Sequence, residues 1–109
     1  MTAALQALLM NVEAGEWWDD LPRPADLHTD LCWKSFNGSL DAAKALHEAV
    51  LPGCAWFIES AYRGDAPTAA IEGHGISVDA SNDNPARAWL IAIIRALIAA
   101  SVAENEGGV

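Results

Sequence analysis

The apolar residues of the first segment are Leu5, Leu8, Leu9 and Val12, at i, i+3, i+4, i+7 spacing. That spacing lines one face of a helix and predicts a helix over 3–14, with Thr2 as N-cap and Gly15 as its stop. The pattern then breaks. Trp17, Trp18, Asp19 and Asp20 precede Pro22 and Pro24, and prolines this close forbid a continuous helix. Leu27 and Leu31 lie four apart and predict a short second helix over 26–33, followed by a connector at 34–38. Ser39 is placed to cap a third helix over 40–51, with Asp41 favourable in its first turn. Leu40, Ala43, Leu46, His47 and Val50 form its expected inner face, and Pro52-Gly53 ends it.

From Cys54 the period changes. Trp56, Ile58, Ser60 and Tyr62 alternate with Ala55, Phe57, Glu59 and Ala61, which predicts a strand with one wetter face. Arg63 to Pro67 has turn chemistry, and strands are expected at 68–72 and 76–79, with Gly73 and Gly75 between them. Such short connections favour an antiparallel meander. The sharpest boundary is Ser81-Asn82-Asp83-Asn84-Pro85, where Asn84 caps and Pro85 opens a final helix over 85–103. Its apolar residues, from Ala88 and Leu90 to Leu97 and Ile98, cover most of its circumference, with Arg87 and Arg95 as the only charges. A helix of this kind must be covered on more than one side, by its own fold or by a second copy.

The fold class expected is α+β: a small antiparallel sheet of about three strands layered with three to four helices, sandwich-like, in a single domain over 1–103 with a flexible tail at 104–109. The expected core comprises Leu5, Leu8, Leu9, Leu46, Val50, Trp56, Ile58, Ile71, Trp89, Leu90, Ile93, Ile94 and Leu97.

Composition narrows the function classes. The chain has 109 residues, enough for one domain with an ordinary core and too few for two. Hydrophobic residues make up 52%, which marks a globular chain. Lys and Arg number 6 against 15 Asp and Glu, a net charge of -9. That balance argues against direct nucleic-acid binding, which needs cations to displace counterions, and against attraction to anionic lipid. The apolar run Ala88 to Ala100 is interrupted by Arg95 and falls short of the ~20 residues a membrane span needs. The N-terminus has no basic stretch and meets Glu13 and Glu16 early, a poor secretory signal. Cys32 and Cys54 are too few for a disulfide scaffold and read as reduced core residues of a cytoplasmic protein.

Motif chemistry is sparse. His28 and Cys32 are four apart, as zinc ligands on one helical face are, but no second pair matches them. Asp79, Ser81 and Asp83 alternate as in a calcium loop, yet the loop's Gly and distal Glu are missing. Neither thiol has a sequence neighbour that would activate it, and no Gly-rich phosphate loop is present. No catalytic residue, metal site or cofactor is expected, and the protein reads as a non-enzyme.

Three stretches carry a family resemblance. They are Ser39-Leu40-Asp41-Ala42-Ala43, the Gly53/Trp56 strand entry, and Asn84-Pro85-Ala86-Arg87-Ala88-Trp89-Leu90. Together they resemble the phage ABA sandwich domain family, small proteins of phage and prophage genomes, over most of residues 25–100. Asn84 stands where that family usually has threonine. The resemblance implies a layered fold and a phage or prophage setting inside a bacterial host cell; it assigns no catalytic residue.

What remains is surface. Residues 13–30 hold Glu13, Glu16, Asp19, Asp20, Asp26 and Asp30 against Arg23 alone, with Trp17 and Trp18 among them. Tryptophan supplies contact area and the charge steers a basic partner, so Glu13, Glu16, Trp17, Trp18, Asp19, Asp20, Asp26 and Asp30 form the candidate partner-binding segment. The competing reading is a solvated acidic surface with the indoles folded onto the core. The expected function is non-catalytic binding of a protein partner with a basic surface. Its sharp form is an anti-CRISPR-like inhibitor that imitates nucleic-acid charge. The alternative is an assembly accessory that forms a homodimer through its final apolar helix.

Overall fold

The computed structural model describes residues 2–17, 28–59 and 66–107. Among these, the elements in chain order are α1 (Thr2–Glu13), α2 (Thr29–Phe36), α3 (Leu40–Val50), β1 (Ala55–Glu59), β2 (Thr68–Gly73), β3 (Ile76–Ser81) and α4 (Pro85–Gly107). The sheet has the order β1-β2-β3 and is antiparallel throughout, an α+β meander as the periodicity predicts. Trp56 pairs with Ile71 and Ile71 with Val78, so one face of the sheet carries the apolar residues. Phe57, Ala70 and Asp79 share the opposite face.

α4 is the centre of the molecule. It touches β2 and β3 on one side and α1, α2 and α3 around the rest of its circumference. Ala88 to Ile94 are all buried, as is Ala96. The apolar circumference that pointed to a second copy is therefore satisfied within the chain over these residues. The two arginines of α4 are ties to its neighbours. The Arg87 guanidinium lies 3.9 Å from the centre of the Phe36 ring, and its Nε donates to the Phe36 carbonyl at 3.0 Å. Arg95 donates to the Asp79 carbonyl on β3 and pairs with Glu13 of α1 at 3.1 Å. No helix among the described residues is long and apolar enough to cross a membrane.

Several expectations need correction. The second helix runs through Phe36, across residues expected as a connector. Its buried face is Cys32, Ser35 and Phe36, with Leu31 half-buried beside it. Ser35 tolerates burial because its hydroxyl donates to the Leu31 carbonyl one turn back. Leu40 is exposed, since the inner face of α3 is Ala42, Ala43, Leu46 and His47. Trp56 is 39% exposed and Ile58 half-buried. Both sit on β1, which among the described residues is an edge strand paired with β2 and lies at the margin of what α4 covers. Leu9, Val50 and Leu97 pack against the core from its rim, while Val12, Cys32, Phe36 and Ile91 lie within it. Cys54 is half-buried and not a core residue; both cysteines are free thiols. α4 continues to Gly107, beyond the predicted end at 103. Residues 18–27, which include most of the broken segment expected at 16–25, and residues 60–65, which hold the expected end of the first strand and most of the turn at 63–67, lie outside the described residues.

Candidate functional site

The way α1 ends positions the surface that α2 presents. α1 ends in a left-handed glycine, Gly15, at φ 77. The Glu16 N–H donates to the Asn11 carbonyl and the Gly15 N–H to the Val12 carbonyl, the paired bonds of a Schellman stop. A side chain at position 15 would be strained in that conformation. The stop reverses the chain and returns Trp17 to α2. There its ring centre lies 5.6 Å from that of Trp33 and 5.4 Å from that of Phe36. Trp33 and Phe36 are three apart on the same helix, 6.3 Å between centres and nearly parallel. Below them lies the Arg87 guanidinium against the Phe36 ring.

The layers of this group differ in exposure. Phe36 is buried, Trp17 half-buried, and Trp33 is 45% exposed. Trp33 is thus an indole held at the surface on an aromatic base fastened to α4. Asp30, one turn before Trp33, is exposed, as is Glu16 beside Trp17. The arrangement suits contact with a large partner: an exposed indole on an aromatic base, with exposed carboxylates on the same helix and next to Trp17.

The predicted binding residues separate here. Trp17 packs on Trp33, while Asp30 lies one turn before Trp33 on α2 and Glu16 adjoins Trp17 in the chain, both exposed. Glu13 is exposed but committed to Arg95. Trp18, Asp19, Asp20 and Asp26 lie outside the described residues. Sequence reasoning missed Trp33, Phe36 and Arg87. The 33/36 spacing was the available signal, hidden by ending the helix at residue 33.

The other candidates resolve differently. Cys32 is buried and His28, at the head of α2, is exposed. No group of three or more His, Cys, Asp or Glu side chains converges among the described residues as metal ligands would. His47 is buried at 2% exposure between α4 and the strand entry. Its Nδ1 accepts from the Trp89 indole N–H at 3.3 Å, and its Nε2 lies 2.9 Å from the Cys54 carbonyl. An indole nitrogen only donates, so the imidazole proton sits on Nε2 and is given to Cys54. Both ring nitrogens are occupied, which makes His47 a structural link. Compared with family models, with curated proteins and with solved structures, the chain matches none.

Proposed function

We propose that this protein acts by non-catalytic binding of a protein partner with a basic surface, through a contact centred on Trp33. The observation that carries this reading is an indole 45% exposed on a base of Trp17, Phe36 and Arg87. Aromatic anchors on a rigid backing dominate binding energy because they offer large area with few rotamers to freeze. Asp30 and Glu16 are exposed, and exposed charge steers encounter more than it holds the complex. The net charge of -9 acts in the same sense at longer range.

The finer reading rests on the resemblance to the phage ABA sandwich domain family. In it the protein is a phage or prophage accessory factor in the bacterial cytoplasm. Its target is a host nucleic-acid-binding defence protein, whose Lys/Arg-lined channel accepts carboxylates in place of phosphates. The protein is then an inhibitor that works by occupancy, with no turnover and no cofactor.

The test uses the full chain as bait in bacterial lysate. Wild type is compared with Trp33→Ala and with the double variant Glu16→Gln/Asp30→Asn. Wild type should retain a basic protein that added nucleic acid displaces. Trp33→Ala should weaken capture at least ~10-fold, the effect of losing one hot-spot side chain, while it still melts cooperatively as a folded domain, because Trp33 is not part of the buried core cluster. The carboxamide variant should lower capture and flatten its salt dependence. Undiminished capture by Trp33→Ala would overturn the reading.

A further inference from the structure

The two edges of the sheet are treated differently. On β3, Arg95 reaches from α4 to the Asp79 carbonyl, and Glu13 holds the guanidinium in place. That edge is guarded by a charged side chain, one of the ordinary devices against edge pairing. β1 has no such guard among the described residues. Among the described residues it is bonded to β2 alone, and its residues Ala55, Trp56, Phe57, Ile58 and Glu59 include no proline and no lysine. Trp56 is 39% exposed on the α4 side of the sheet, and Phe57 is 54% exposed on the outer side. An edge strand that is apolar and exposed on both faces is a template for a further strand.

The pattern along β1 also says which strand fits. Placed antiparallel to a copy of itself about Phe57, the strand sets Phe57 opposite Phe57. Trp56 then lies opposite Ile58 on the α4 side, and Ala55 opposite Glu59 at each end. Aromatic–aromatic and aromatic–β-branched pairs are the favourable cross-strand pairs. The two Glu59 carboxylates fall at opposite ends, about 14 Å apart at the rise of an antiparallel strand, which exceeds the screening length of about 8 Å in physiological salt. Centring the pair on Ile58 instead would set Glu59 against Phe57 and lose this match. Trp56 leans on the buried Trp89, ring centres 4.4 Å apart, so the surface offered to the copy is already backed by the core.

We infer that β1 is a self-complementary edge through which two copies of this chain pair antiparallel about Phe57, joining two three-stranded sheets into one of six. The contact shares no residue with the Trp33 surface proposed above to meet a partner.

Sedimentation of the full chain over a range up to millimolar should show a species of twice the chain mass. Phe57→Lys sets two ammonium groups face to face at the centre of the pair. It should remove the double-mass species at concentrations where wild type is dimeric. Phe57 lies outside the core, so its melting measured in dilute solution should be little changed. Amide exchange gives a second readout: protection of residues 55–59 should rise with concentration and that of 76–81 should not. A wild-type monomer at every concentration would overturn the proposal and leave the edge to a different partner's strand. A dimer indifferent to Phe57→Lys, with exchange at 55–59 independent of concentration, would overturn it as well.

Discussion

His47 shows how a polar side chain becomes a core residue. Burying an imidazole costs free energy unless both nitrogens are satisfied, and here each has one partner of fixed role. Trp89 gives its proton to Nδ1, and Nε2 gives its proton to the Cys54 carbonyl. The three groups tie α4, α3 and the entry to β1 in a single chain of hydrogen bonds. Replacing His47 by Phe keeps an aromatic ring, somewhat larger than imidazole, and deletes both bonds. A buried indole N–H and a carbonyl lose their partner, which costs about 1–3 kcal/mol. Denaturant unfolding should register that loss as a lower midpoint with an unchanged slope; an unaltered midpoint would mean that neither bond contributes. Helical spacing put His47 on the inner flank of α3, and it is there. Its partners were not legible, because Trp89 and Cys54 are brought to it only by the packing of α4 and the turn after α3.

Elements were legible where local chemistry decides them. The caps are the clearest instance. Ser39 accepts from the Ala42 N–H at 3.1 Å, and Asn84 accepts from the N–H groups of Ala86 and Arg87 at 3.0 and 3.3 Å. Asn82 in turn accepts from the Asn84 N–H, so the boundary read from Asn84-Pro85 is built as its residue types suggest. α2 was misplaced because nothing local ends it at residue 33; burial of Ser35 and Phe36 against the other helices extends it. Trp56 was taken for core because alternation gives the face of a strand but not its place in a sheet. Asn84→Ala removes the cap of the central helix, leaves two N–H groups without their acceptor, and should cost about 1 kcal/mol. For a domain of this length that corresponds to a melting point lower by about 4–8 °C. Gly38, in a turn at φ 107, approaches Asn84 so closely that a Cβ there would lie 3.0 Å from its amide nitrogen. Melting that is indifferent to Asn84→Ala would show that water replaces the cap at no cost.

On the scale of the whole molecule, the question is where the charge is free. Arg87 and Arg95 are spent on internal ties, and Lys44 faces Glu48 at 3.8 Å. Among the described residues the exposed acidic side chains Glu16, Asp30, Asp41, Glu59, Glu72, Asp79 and Asp83 are spread over several elements. The net charge of -9 therefore acts as a field around a body of 46 × 31 × 21 Å, more than as a single acidic patch. Such a field and the Trp33 contact affect different rate constants. The field reaches ~30 Å at about 0.01 M salt and only ~3 Å at about 1 M. Association with the basic partner captured by the full chain should slow at least ~10-fold across that range, while dissociation changes less. Trp33→Ala should do the reverse, leaving association nearly unaltered and speeding dissociation. Stopped-flow measurement of both constants separates the two contributions. An association rate that is flat in salt would mean the carboxylates only keep the protein in solution, and the indole alone would then have to account for partner choice.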